Sequence, residues 1–161
     1  MKKLSAITLL IFCFILMGFS QENKPEQTID TLNMIFSSES FTLEEDYFGD
    51  WGGHNHKFIF TVQGNKVRIQ WENPELMENG EDMDMLFPIK ALKDLEEIFV
   101  NCTEKIKTSK KGSTEHILYK FKKGKIIYII DDKTTMECND DFRAWKEKII
   151  SEWKEELMKE K

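Results

Sequence analysis

Lys57-Phe58-Ile59-Phe60-Thr61-Val62-Gln63-Gly64-Asn65-Lys66-Val67-Arg68-Ile69-Gln70-Trp71 is the stretch that decides the fold. Two β-prone runs flank a Gly-Asn pair. Aromatic and β-branched residues suit a pleated, half-buried surface, and Gly-Asn between two such runs marks a hairpin. Side chains alternate between faces, so Phe58, Phe60 and Val62 share one face of the first strand. Val67, Ile69 and Trp71 share a face on its partner.

The same reading extends outward. Phe41, Leu43 and Tyr47-Phe48 bracket acidic residues and predict an earlier strand with one wet face, followed by a turn at Gly49-Asp50-Trp51-Gly52-Gly53. A second hairpin is predicted from His116–Phe121 and Lys125–Ile130 around Lys123-Gly124. Ile126 to Ile130 is apolar on both faces and reads as a central strand covered on both sides.

Between the hairpins, Ile89, Leu92, Leu95, Phe99, Cys102 and Ile106 fall three or four apart, the stripe of an amphipathic helix, with Pro88 suited to its first turn. Phe142, Trp145, Ile149, Trp153 and Leu157 mark a second helix, capped by Asn139 or Asp140 and ending in a solvated, fraying stretch from Glu155. Ile29–Phe36 fits a short helix or an edge strand equally well, and residues 72–84 read as a charged connector. The expectation is an α+β domain over residues 41–161: an antiparallel sheet of four to five strands, built from two hairpins and packed by two helices. Residues 21–40 form a partly disordered lead-in.

The chain opens on Met1-Lys2-Lys3, an apolar run from Leu4 to Phe19, and the small residues Gly18 and Ser20. That is the pattern of a signal peptide at residues 1–20, cut near Ser20-Gln21, and it places the mature domain outside the cytoplasm, secreted or periplasmic, with no membrane contact after cleavage. Retention of the run as an anchor is the alternative. Cleavage removes Lys2 and Lys3 and takes the formal charge from −6 to −8. So acidic a chain argues against nucleic acid as its partner. Cys13 leaves with the leader, and bulky Ile11 and Phe12 before it do not suit a lipoprotein site. Cys102 and Cys138 remain, an even pair in an oxidising compartment, and a disulfide follows.

Candidate chemistry is sparse. His54 and His56, two apart, would point to one side of a strand and share a metal, with Asp50 or Asp46 as an oxygen ligand and His116 as a distant third. Exposed histidines on a glycine-rich turn are the plainer reading. Trp51, beside two glycines, is a candidate contact residue or a core lid. Lys105, Lys107, Lys110, Lys111, Lys120, Lys122, Lys123 and Lys125 concentrate positive charge on an acidic chain, either as a solvated face or as a docking site centred on Lys122 and Lys123 for an acidic partner or polyanionic glycan. Met77, Met83 and Met85 are donors of the kind copper(I) takes, but also suit adaptable packing. Glu78, Glu81, Asp82 and Asp84 lack the ligand order of a calcium loop. Asp131-Asp132 and Asp140-Asp141 are adjacent pairs, and neighbours on a strand point opposite ways. No nucleophile elbow is present.

These observations point to a small exported domain that acts by binding an envelope protein or glycan, without catalytic residues or a cofactor of its own. The alternatives are a metal-binding protein or metal-dependent enzyme centred on His54 and His56, and an envelope inhibitor of a hydrolase. The leader predicts that the exported protein begins at Gln21. Intact-mass measurement of the mature protein checks this, and a mass that retains Met1–Ser20 overturns it.

Overall fold

The computed structural model describes residues 28–49, 52–72, 82–109, 116–133 and 137–159. The leader, Asp50, Trp51, Met77, Lys110 and Lys111 lie outside the described residues. Three helices and six strands follow in chain order: α1 (Ile29–Phe36), β1 (Ser40–Gly49), β2 (Gly52–Gln63), β3 (Lys66–Glu72), β4 (Met83–Pro88), α2 (Lys90–Thr108), β5 (His116–Lys123), β6 (Ile126–Asp132) and α3 (Glu137–Lys159). The strands form one sheet, ordered β4-β3-β2-β1-β5-β6, and every neighbouring pair is antiparallel.

The decisive hairpin forms as its sequence predicts. Gln63 pairs with Lys66, so Gly64-Asn65 is a two-residue loop, and Gly64 supplies the positive φ of 64° that this loop needs. Gly124 does the same at 57° between Lys123 and Ile126. β1 pairs with β2 along its whole length, from Ser40↔Thr61 to Gly49↔Gly52.

Alternation gathers the apolar side chains on one face. Phe41 and Leu43, Phe58 and Phe60, Val67, Ile69 and Trp71, Met83 and Phe87, Ile117 and Phe121, and Tyr128 and Ile130 are all buried there. The helices cover that face. α2 contributes Leu92, Leu95, Phe99 and Cys102, and α3 contributes Phe142, Trp145, Ile149 and Trp153. α1 adds Leu32, Ile35 and Phe36, so the undecided segment is a helix, and part of the expected lead-in belongs to the core.

The α+β class with an antiparallel sheet stands, with six strands in place of four to five and three helices in place of two. The extra strand is β4. Its Met83 and Phe87 alternate inward with Asp84 and Leu86 outward, a short period hidden by the acidic stretch before it. Pro88 ends β4, an edge strand where proline is tolerated, and the helix begins after it. β6 is also an edge, not a central strand: Ile127 and Ile129 are open to solvent because nothing packs on the outer face among the described residues. α3 starts before Asn139, which places Asn139 and Asp140 inside its first turn, and it stays helical through Lys159 with Leu157 exposed.

Cys102 and Cys138 are bonded, with Cα atoms 5.3 Å apart, tying α2 near its end to the first turn of α3. Both are buried. A loop of this length constrains the unfolded chain by about 4 kcal/mol in the chain-entropy model. Cys102→Ser/Cys138→Ser is expected to lose about 2–4 kcal/mol in urea denaturation, and a loss below about 1 kcal/mol would show the staple to be redundant to the packing.

Candidate functional site

Among the described residues two places hold chemistry: a polar cluster buried between sheet and helices, and the open outer face of the sheet.

The buried cluster begins with Glu45. It follows Phe41 and Leu43 on the inward parity of β1 and is pulled under α3 with them. Lys146 lies one helical turn after Phe142 and meets it. Its Nζ donates to Glu45 Oε2 at 2.7 Å and Oε1 at 3.0 Å, with the two side chains only 8% and 1% exposed. The ammonium also sits 4.8 Å from the centroid of the Phe142 ring. On either side of Glu45 in the sheet stand His56 and Tyr119, its register partners on β2 and β5. Both are buried.

Burial pushes the Tyr119 phenol above its ordinary range, and the carboxylates of Glu45 and Asp132 add to the effect, so the residue stays neutral. Its Oη finds no hydrogen-bond partner among the described residues, nor does Trp71 Nε1. Asp132 closes the cluster from β6 and is buried. The arrangement continues outward through the rings: Trp71 meets His56 edge-on at 5.4 Å, His54 lies 4.8 Å from His56, and Tyr47 stacks on His54 at 5.0 Å.

His54 and His56 therefore do share a face. The proposed further ligands do not join them. Asp46 lies on the outer face, bonded to Lys120 and Asn55, and His116 lies there too, stacked on Phe48 at 4.7 Å. Strand parity is the reason: 46 and 116 fall on the opposite alternation to 54 and 56 in this register. Among the described residues no group of three or more His, Cys, Asp or Glu side chains is placed to hold a metal ion. Met83 is a core residue, and Met85 is partly buried against the core.

The lysine hairpin is partly neutralised: among the described residues Lys120 and Lys122 are held by acids, whereas Lys123 and Lys125 at its tip are not. Lys122 bonds Glu44 at 2.6 and 2.7 Å, Lys120 bonds Asp46, and Lys57 bonds Glu72 at 2.7 Å. At the far side Arg68 forks onto Asp84 at 2.6 and 2.7 Å. Burial opposes ionisation of Asp46, but the hydrogen bonds from Lys120 and Asn55 outweigh it and hold its carboxyl below the usual range. Lys123 is half-buried, and Lys105 approaches Asp141 at 3.4 Å. Between these charges Phe48, Leu86, Ile127 and Ile129 are exposed. Of the adjacent carboxylates, Asp131 and Asp132 split as expected, exposed and buried, whereas Asp140 and Asp141 lie on α3 and are both exposed. Two shallow grooves of about 340 and 430 Å³ lie on the helical side, and neither is lined by a residue of the buried cluster.

Neither any protein-family profile nor any characterised sequence matches this chain. The site must be read from its own geometry. Sequence reasoning missed the Glu45–Lys146 pair, although the signal was present: Glu45 continues the parity of Phe41 and Leu43, and Lys146 falls between Phe142 and Ile149 on the α3 stripe.

Lys146→Met strands a buried carboxylate and should cost about 3–5 kcal/mol in urea denaturation. Glu45→Leu/Lys146→Met should cost less than that single change, and a larger loss in the double variant overturns this account. Tyr119→Phe removes a hydroxyl without a partner and should change stability at neutral pH by no more than about 1 kcal/mol. Because the folded-state value is raised, the contribution of Tyr119 is complete below its ordinary value near 10 and is lost as pH rises beyond it. Melting across the alkaline range should accordingly fall less steeply in Tyr119→Phe than in the native protein; parallel curves would sink this assignment.

Proposed function

We propose that the protein is a small exported binding domain that recognises a partner protein through the open face of its sheet. One observation carries the reading: among the described residues the three helices all lie on one side, and none covers the other face. That face combines exposed Phe48, Leu86, Ile127 and Ile129 with charges already paired to one another. Apolar side chains supply contact area on desolvation, and fixed charges of both signs select a complementary surface and suppress wrong ones.

A protein fits this face better than a polyanionic glycan. Glycan binding needs a cluster of free cations, whereas on the sheet face Lys57, Lys120 and Lys122 are each engaged by an acid of the neighbouring strand, which leaves Lys123 and Lys125 at the hairpin tip. The buried cluster is walled by rings and helix, which supports an architectural part for it and leaves the outer face as the working surface. Export is supported by the basic-then-apolar start of the chain and by the bonded cysteines, which suit an oxidising compartment.

Photo-crosslinkers at Phe48, Ile59 or Leu86 should capture one protein species in envelope extract, whereas the same group at Glu147 or Lys154 on the helical side should not. Phe48→Asp should weaken capture by about tenfold or more, in line with loss of a contact anchor, with no change in melting temperature. Crosslinks confined to the helical side, or identical capture from both sides, would overturn the reading.

A further inference from the structure

We infer that β6 is a self-pairing edge: two copies of the chain join antiparallel along it, with Tyr128 at the two-fold axis. The two six-stranded sheets then become one of twelve.

The edge has the character of an interface. Among the described residues β6 pairs with β5 alone. Proteins blunt such edges with proline, lysine or bulges. β4, at the opposite edge, ends on Pro88 and holds Asp84 against Arg68. β6 has no proline, and its outward row is Ile127, Ile129 and Asp131, with the isoleucines 50% and 38% exposed. Its inward side is anchored, for Tyr128 and Ile130 are buried and Tyr128 Oη lies 3.5 Å from Thr103 Oγ1 of α2. The free edge is therefore held in place.

Backbone parity fits. The two-residue loop at Gly124-Lys125 makes Lys123 and Ile126 a pair that exchanges backbone hydrogen bonds. Bonding direction alternates along a strand, so Ile126, Tyr128 and Ile130 turn their N–H and C=O groups toward β5. Those of Ile127, Ile129 and Asp131 face the open edge. In an antiparallel pair centred on Tyr128, Ile127 of one copy and Ile129 of the other exchange backbone bonds, twice by symmetry.

Side chains choose that register. Centred on Tyr128, Ile127 faces Ile129, and Lys125 of the turn just before the strand comes level with Asp131, each pair occurring twice. Four isoleucines cluster between two ion pairs. Centred on Ile129, each Ile127 would face an Asp131 and Lys125 would face Lys133, setting like charges together. Centred on Ile127, each Ile129 would face a Lys125. Registers between these would point facing side chains to opposite sides of the sheet. The charges of the strand and of the turn before it are thus complementary to a second copy of the chain. Asp131 is already 2.8 Å from Lys133 in its own chain, and its half-exposed carboxylate keeps a second oxygen for Lys125 of the other copy.

The test is charge reversal followed by mixing, on the mature full-length chain. Sedimentation equilibrium should show a dimer for the native protein. Lys125→Asp alone sets two aspartates opposite each other at both ends of the seam, and Asp131→Lys alone sets two lysines there. Each should raise the dissociation constant by about tenfold or more, given the usual strength of cross-strand charge pairs. An equal mixture of the two variants restores opposite charges at both ends and should recover a dimer containing one of each. Both positions are exposed, and circular dichroism checks each fold; a misfolded variant is replaced by Ile129→Asp, which should also leave a monomer. A monomeric native protein, variants that dimerise unchanged, or a mixture that stays monomeric would overturn the inference. A monomer that still crosslinks its partner from Phe48 sinks the self-pairing alone, and a dimer with no partner sinks only the binding function.

Discussion

Every layer of the molecule meets at the ring of Phe142. Its centroid lies 5.7 Å from Phe58 of β2, 5.2 Å from Phe99 of α2, 5.6 Å from Tyr119 of β5 and 5.7 Å from Trp145 of its own helix. Pairs of this kind are worth about 0.5–1.5 kcal/mol each beyond the area they bury. Their larger effect is geometric. Phe142 stands one turn beyond Cys138, whose bond to Cys102 fixes the start of α3 against α2. With those two points set, the helix cannot roll, and Trp145 is delivered to Phe58 and Phe60 with its Nε1 donating to Ala91 O at 2.9 Å.

Closing the core in this way commits the three described helices to one side, and the outer face must then be stable in water without cover from any described residue. It meets that condition with cross-strand ion pairs on alternate rows. Each exposed pair contributes roughly 0–1 kcal/mol, so their sum is a minor part of stability. What they do is match the strands: Lys57 has Glu44 directly opposite on β1 and Glu72 directly opposite on β3, so like charges are kept out of register. The apolar residues left among them sit mainly toward the strand ends and the β6 edge, where the ladder of charges gives out.

Much of this was legible in the sequence because it rests on local periodicity. Both hairpins, both long helical stripes and the cysteine bridge follow from spacings within a few residues or from parity of count. β4 escaped because its alternation spans only Met83 to Phe87 and its composition resembles the acidic stretch before it. The central position that the sequence suggests for β6 fails for a different reason. An isoleucine run that is apolar on both faces reads as buried, and only strand order, which depends on distant pairing, reveals that Ile127 and Ile129 are exposed at an edge. The pairing of His54 with His56 was visible as a two-residue spacing, whereas the position of Asp46 and His116 behind the sheet depends on the registers of β1 with β2 and β5. The Glu45–Lys146 pair joins residues 101 apart and could be anticipated only as two charges on apolar stripes.

That pair constrains one element and leaves another indifferent. If β1 slipped by one residue, Glu44 or Asp46 would come beneath α3, and either would receive Lys146 as well as Glu45 does. The register of β1 is therefore set by Phe41 and Leu43, which would be driven into water by the slip. Rotation of α3 is another matter. Turning the helix by one residue brings Trp145 or Glu147 over Glu45, leaving a buried carboxylate against an indole or against a like charge. Taking an ion from water costs several kcal/mol, which the Lys146 ammonium offsets in one orientation only. Since a buried ion pair is a weak source of net stability, its consequence here is to make the wrong rotations of α3 far worse than the right one.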